Sequence, residues 1–263
     1  MFREARIPGT IAGLVILSIL LAACGSPSVK NFGSAEEQFR AAMQEYQKKH
    51  YLKAIDGFQK VLYNYSGSSQ VDSAQYYLAM TYYLQPDYIL AAGEFERLAM
   101  NFPGSPFIDN ARYMAGLCHF KSAPGHYGLD QEELIKAIEA LEDFVTDYPE
   151  SEMVVDARQT IKAGRERLAR KSYESGRAYF RLGYYQSAVV YFQSVIDNYT
   201  ETPWAAPALY YLGEIALKEK KYEDARAKFD NFLVIYPDHK LGSGAREKLA
   251  EINGKLADSA ESK

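Results

Sequence analysis

Cysteine is scarce in this chain. Only Cys24 and Cys118 occur among 263 residues, so no disulfide framework shapes the fold. Histidine is nearly as rare, and His50, His119, His126 and His239 fall at no spacing that assembles a metal site. Cys118 and His119 are adjacent in a helical stretch, so their side chains diverge by about 100°. No glycine-rich phosphate loop and no nucleophile elbow is present. The carboxylate pairs Glu36-Glu37 and Glu132-Glu133 stand at helix starts, where the macrodipole accounts for them. Neither an enzyme nor a cofactor is therefore expected. An excess of cations is also missing: the formal charge is -4, which argues against a nucleic-acid groove. No run alternates apolar and polar residues as a strand would.

A membrane span of about 20 apolar residues is likewise missing, but a shorter apolar run is there. Met1 to Thr10 carries Arg3 and Arg6, and Ile11 to Ala23 carries no charge. Together they read as a secretory signal over residues 1–23. The segment ends in Leu21-Ala22-Ala23-Cys24, which resembles a bacterial lipobox. That resemblance implies cleavage before Cys24 and acylation, palmitate included, of Cys24 itself. Gly25 stands where an inner-membrane retention signal would place Asp, so the resemblance points to the outer membrane. The alternative is an ordinary cleaved signal followed by a chance cysteine. Several acyl chains on one residue anchor firmly, because each buried CH₂ contributes about 0.8 kcal/mol. Residues 24–33 read as a flexible tether. Loss of Arg3, Arg6 and Glu4 with the signal takes the formal charge from -4 to -5. Cys118 sits in the apolar run Tyr113 to Phe120 and reads as a small buried hydrophobe.

Tyrosine is abundant, at 22 residues, and it recurs with a period. The clearest unit is Tyr211-Leu212-Gly213-Glu214-Ile215-Ala216, Lys221-Tyr222-Glu223-Asp224-Ala225, Phe229 and Tyr236-Pro237. It resembles the tetratricopeptide pattern. Small residues let helix A approach helix B, an aromatic fills the gap, and proline ends the second helix. The helix-B alanines are Ala54, Ala91, Ala137, Ala188 and Ala225. Four residues after them come Phe58, Phe95, Leu141, Phe192 and Phe229, and eleven after come Tyr65, Phe102, Tyr148, Tyr199 and Tyr236. The small helix-A residues are Ala42, Ala79, Gly116, Gly176 and Gly213. The alanine spacings are 37, 46, 51 and 37, against about 34 in the usual repeat.

The two long spacings have different causes. In the third unit about nine residues are inserted between the helices, with the turn sequence Pro124-Gly125-His126-Tyr127-Gly128. In the fourth, Glu152 to Leu182 keeps helical patterning without a strong breaker, which predicts one long helix with Gly164 and Gly176 as candidate bend points. The expected fold is all-α: an α-α superhelix of about five helix pairs plus a capping helix over Gly244 to Leu256. Residues 34–150 hold units one to three. Residues 151–258 hold units four and five, the long helix and the cap, and 259–263 form a frayed tail. Ser34…Glu37 and Asp130…Glu133 have capping-box spacing. Ser105-Pro106 and Thr202-Pro203 place a cap residue before a proline at the first helical position.

By analogy with tetratricopeptide arrays, the fifth position of helix A lines the concave groove. Here it is Phe39, Tyr76, Tyr113, Tyr173 and Tyr210. Seven residues on come Tyr46, Tyr83, Phe120, Phe180 and Leu217; four on come Met43, Met80, Leu117, Arg177 and Glu214. The first three units are apolar along this line and the last two are charged. Two readings stand: the rows pack helix A against its neighbours, or units one to three offer a groove for an extended apolar peptide. Lys121 is either a solvated surface residue or a partner for the peptide's carboxylate. Arg158, Lys162 and Arg165 share a helix face by i, i+4, i+7 spacing. They form either a solvated ridge or a docking place for an acidic partner.

Lipobox, tether, five repeats, an insert in the third and a long helix opening the fourth together resemble the BamD (YfiO, ComL) outer-membrane-assembly lipoproteins. Gln59 to Tyr65, Tyr113 to Leu117 and Thr146 to Ser151 are similar to that family in wording. The resemblance implies a scaffold subunit of the β-barrel assembly complex, lipid-anchored on the periplasmic face of the outer membrane. The implied partners are the BamA insertase through its POTRA region, other assembly lipoproteins, and the targeting segment of nascent outer-membrane proteins. That segment would lie in the N-terminal repeats. A Tol-Pal cell-division scaffold and a peptidoglycan-processing accessory are the alternatives. The former typically carries an N-terminal coiled coil, and no heptad run precedes these repeats.

Overall fold

The computed structural model describes residues 33–261, with side chains described to 258. Residues 1–23, Cys24 and all but the last residue of the tether therefore lie outside the described residues. Eleven helices follow one another within them: α1 (Ala35–Gln47), α2 (Tyr51–Asn64), α3 (Val71–Leu84), α4 (Tyr88–Asn101), α5 (Ile108–Ser122), α6 (Glu132–Asp147), α7 (Val154–Arg181), α8 (Tyr185–Asn198), α9 (Ala205–Lys218), α10 (Tyr222–Ile235) and α11 (Gly242–Glu261). Each packs on the next in chain order. This is the five-pair superhelix with its cap.

The small and large positions do what their volumes require. All five helix-B alanines and all five residues four further on are fully buried. A Cβ at Gly176 would stand 2.8 Å from the Phe192 ring, and one at Gly116 would stand 2.6 Å from Leu141 Cγ. Any side chain at these positions would push the paired helices apart. The cap closes the last pair by burying Ala245 and Ile252 against Phe229 and Phe232.

Helix B stops at the same residue in every unit. Tyr65, Phe102, Tyr148, Tyr199 and Tyr236 are all C-caps, with φ between -126° and -141°. Three residues on, the amides of Ser68, Ser105, Ser151, Thr202 and His239 each donate to the aromatic's carbonyl. The carbonyls of those five residues then accept from the amide opening the next helix. A single turn is thus copied five times. It corrects the expectation for Ser105-Pro106 and Thr202-Pro203: α5 and α9 begin only at Ile108 and Ala205. Ser105 and Thr202 are buried inside the turn. Ser105 Oγ donates to Asp72 Oδ2 of the preceding junction at 2.8 Å, and Ser151 Oγ repeats the bond to Asp109 at 3.3 Å.

One capping box forms in part, with Glu37 reaching the Gly33 amide and not that of the N-cap Ser34, and the other does not form. Ser34 Oγ accepts from the Glu37 amide at 3.2 Å, and Glu37 accepts from the Gly33 amide at 3.2 Å. At the second site Gln131 is the N-cap. Asp130 accepts from the Glu132 amide, while Glu133 is drawn off to His119. α7 is one continuous helix of 28 residues. Its first half buries Ala157 with Leu141 and Phe144, and its second half buries Tyr173 with Phe192. Gly164 and Gly176 are close-approach points to Ile138 and Phe192. α11 runs to Glu261, past Leu256, where the capping helix was expected to end, and into the tail 259–263 expected to fray.

Candidate functional site

The fifth-position aromatics lie along successive A helices, and all but one are half-buried. Phe39 meets Phe58 at 5.8 Å and Tyr113 meets Phe144 at 5.7 Å between ring centroids. Tyr76 stacks on Phe107 at 4.5 Å and stands edge-on to Phe95 at 5.8 Å. Tyr173 is buried outright, and its phenol pKa is pushed up to about 12 by that burial. Burial likewise pushes the Tyr46, Tyr76, Tyr113 and Tyr210 phenols above the usual range, so these hydroxyls remain neutral. In the second row Tyr46 meets Tyr77 at 5.6 Å and Tyr83 meets Tyr88 at 5.7 Å, and Phe120 packs beside Leu134 and Ile138. Met43 and Met80 pack half-buried against the unit cores, and Leu117 is half-buried too. The half-buried rings therefore have one side in the core and part of their surface free, while Tyr173 is enclosed. Lys121 places its ammonium 5.7 Å from both the Tyr83 and Tyr88 rings, a cation–π seat on that row.

Tyr77 is the residue that the spacing argument passed over. It touches Phe39, Tyr46, Phe58, Tyr76 and Phe107. Tyr211 occupies the same position in the fifth unit and touches Tyr173, Phe180 and Phe192. The signal was a tyrosine pair, Tyr76-Tyr77 and Tyr210-Tyr211, where the other units have one aromatic.

Three cations of the basic segment on α7 are bonded to neighbouring elements. Arg165 donates through Nε to Glu201 and through Nη2 to the Asn198 carbonyl, both at 2.6 Å. Arg167 donates to the Ala123 and Pro124 carbonyls, and Lys171 donates to the Leu129 carbonyl at 2.8 Å. Arg170 lies 5.3 Å from the Tyr127 ring and 5.9 Å from Trp204. The insert of the third unit is thereby strapped to α7. Gln131, buried, donates to Pro124, His126 and Leu129 carbonyls from beneath. Arg158 and Lys162 remain exposed and, with Arg165, Val145, Ile161 and Glu201, line a cleft of 710 Å³.

A cleft of 790 Å³ opens in the last two units. Its lining includes Tyr173, Arg177, Tyr210 and Glu214, the continuation of the groove rows, together with Trp204 and with His239 from the turn before the cap. The Trp204 Nε1–H is buried without a protein acceptor. Elsewhere, His119 on α5 is gripped by Glu96 of α4 at 2.9 Å and Glu133 of α6 at 2.7 Å. The hydrogen bond with Glu96 leads in raising its pKa above the ordinary histidine value. Cys118 beside it is buried and free, its thiol pushed up to about 12 by burial. Among the described residues, no group of three or more His, Cys, Asp or Glu is placed to hold a metal ion. Nor is any helix among them long and apolar enough to cross a membrane.

The profile of YfiO, an outer membrane lipoprotein family, matches residues 33–218. A tetratricopeptide-repeat profile matches 206–239. An outer membrane protein assembly factor BamD of Rickettsia prowazekii (strain Madrid E) is 24% identical over 89% of this chain and 94% of its own length. The BamD of Caulobacter vibrioides is 32% identical over 42% of this chain and 36% of its own. A tetratricopeptide-repeat protein of Bacteroides fragilis NCTC 9343 superposes with a TM-score of 0.46 at 12% identity, over 85% of this chain and 100% of that one.

Proposed function

Since the chain belongs to the YfiO family of outer membrane lipoproteins, we propose that it is the lipid-anchored scaffold subunit of a β-barrel assembly complex. Cys24 would carry the anchor and set the repeats on the periplasmic face of the outer membrane. Units one to three would hold the aromatic-ended targeting segment of a nascent outer-membrane protein. Units four and five would meet a BamA-like insertase at its POTRA region and the other assembly lipoproteins. The observation that carries this reading is the row of aromatics, Phe39, Tyr76 and Tyr113, seated in the core on one side and open on the other. Such rings are rigid, so a peptide gains apolar contact from them at low entropic cost. The 790 Å³ cleft and the exposed Arg158 and Lys162 support a separate docking region in the second half.

Two measurements test this. Affinity purification from solubilised outer membranes is expected to recover a β-barrel insertase with the protein. Recovery of Tol-Pal proteins alone would overturn the assembly role. Separately, Tyr76→Ala combined with Tyr83→Ala is expected to weaken binding of aromatic-terminated peptides about tenfold or more, in line with removing two aromatic contacts. Helical circular dichroism should be retained. Unchanged affinity in a folded variant would leave these residues with a packing role only.

A further inference from the structure

The turns joining α1 to α2 and α3 to α4 fall on one edge of the array, because successive pairs stack in the same sense. Two features meet on that edge. Large apolar side chains project from it: Leu52 is 77% exposed and Ile89 65%, with Leu84 and Leu90 beside them. Cations flank Leu52: Lys48, Lys49 and Lys53 are all exposed, while the turn between α3 and α4 holds Asp87 and no lysine or arginine. Lys48 reaches only Glu45, at 3.5 Å, and Glu45 is shared with His50 at 2.8 Å.

Local chemistry does not account for these choices. The first turn of α2 holds no acid and carries Lys53 instead, against the helix dipole. The first turn of α4 holds no acid either, although Asp87 stands at its N-cap. Lys49 occupies the left-handed region at φ 60°, as Lys220 does in the fifth unit, where glycine is the unstrained residue. The fifth unit offers a comparison. Its turn has Lys218, Lys220 and Lys221, but Glu219, Glu223 and Asp224 accompany them, Lys221 pairs with Glu219 at 2.7 Å, and no large apolar residue is exposed there. The opposite edge of the first units is acidic. Segments 64–72, 101–109 and 147–156 contain no lysine or arginine and include Asp72, Asp109, Asp147, Glu150, Glu152 and Asp156.

We propose that the turn edge of the first two helix pairs rests on an anionic phospholipid surface. Leucine and isoleucine tips would enter the interface while the lysines meet phosphate headgroups. A bilayer demands only this combination of apolar tips and clustered cations, with no arrangement of donors and acceptors to read a peptide backbone. The inference uses the membrane location of the proposed function, and it does not require that Cys24 be the anchor.

The two edges supply matched controls. Leu52 and Tyr63 sit eleven residues apart on one face of α2 and are each 77% exposed; Ile89 and Met100, at 65% and 75%, repeat this on α4. Each is replaced singly by cysteine in the full protein, extracted from membranes in detergent, and labelled with an environment-sensitive fluorophore. Buried Cys118 does not compete, and the unsubstituted protein, labelled in parallel, corrects for any label taken up at Cys24. The labelled proteins are then reconstituted into phosphatidylcholine vesicles with or without phosphatidylglycerol, each containing brominated lipid. Quenching at 52 and 89 is expected to exceed that at 63 and 100 several-fold in the phosphatidylglycerol vesicles. Lys48→Glu with Lys49→Glu and Lys53→Glu should abolish the difference while the protein still floats with the vesicles. Equal quenching at both ends, or a difference untouched by the charge reversal, would overturn the edge contact alone. Failure to float with either vesicle would overturn both the edge contact and the anchored reading.

Discussion

Replacing Phe192 with alanine is expected to lower the free energy of unfolding by about 3–5 kcal/mol, the range for emptying a fully buried aromatic site. The ring is fully buried at the meeting of α7, α8 and α9. It stacks on Tyr211 at 5.1 Å with planes 6° apart, and meets Tyr173 at 5.8 Å. Gly176 of α7 presses against it so closely that no Cβ fits. Backbone on one side and rings on the other cannot collapse into the void, so most of the cavity should persist and the loss should fall high in that range. Val190→Ala on the same helix, where the side chain is exposed, should change stability by less than about 0.5 kcal/mol. Chemical denaturation of both variants decides the matter. A repeat array is held chiefly by nearest-neighbour contacts, so the second half should open first in Phe192→Ala, visible as early amide exchange in residues 173–235. A loss below about 1.5 kcal/mol would mean that the rings around the site close over it.

Cys24→Ser is expected to abolish incorporation of labelled palmitate and to remove the protein from the outer-membrane fraction. No helix among the described residues can substitute for the anchor by spanning the bilayer. Each buried CH₂ contributes about 0.8 kcal/mol, so loss of the acyl chains removes far more binding than any surface contact supplies. Attachment remaining through Lys48, Lys49 and Lys53 should disappear in a high-salt wash, since exposed charges are screened within about 3 Å at 1 M salt. Continued palmitate uptake by the variant would refute acylation at Cys24.

The core was legible because its constraint is local and repeated. Ala54 with Phe58 and Ala225 with Phe229 satisfy the same volume rule in the first and last units. All four residues are fully buried, as the spacing predicted. The insert and the long helix were legible for the same reason, as departures from a fixed interval. The groove rows were legible as positions on helix A, but their degree of burial was not. That depends on partners such as Phe107 for Tyr76 and Phe144 for Tyr113, which the stacking of separate helices supplies.

The polar contacts were least legible. Arg165 read with Arg158 and Lys162 as a basic ridge, and nothing in the spacing assigned partners to Arg167 and Lys171, because charge spacing on a helix says nothing about what lies opposite. Folding brings Glu201 and the Ala123, Pro124 and Leu129 carbonyls to them, from 36 to 44 positions away for the first three. Ser105 read as a helix cap because Pro106 follows it, whereas its hydroxyl reaches Asp72 across a repeat boundary. By itself, then, the sequence determined the number of helix pairs, their buried residues and the two breaks in register, since these follow from side-chain volume at fixed intervals along one chain. Only the tertiary structure decided which charges are spent inside the protein and which edge keeps Lys48, Lys49 and Lys53 for the outside. Hydrogen bonds and ion pairs form between whatever groups the stacking of helices brings within about 3 Å, and that proximity is not written in the spacing of any one segment.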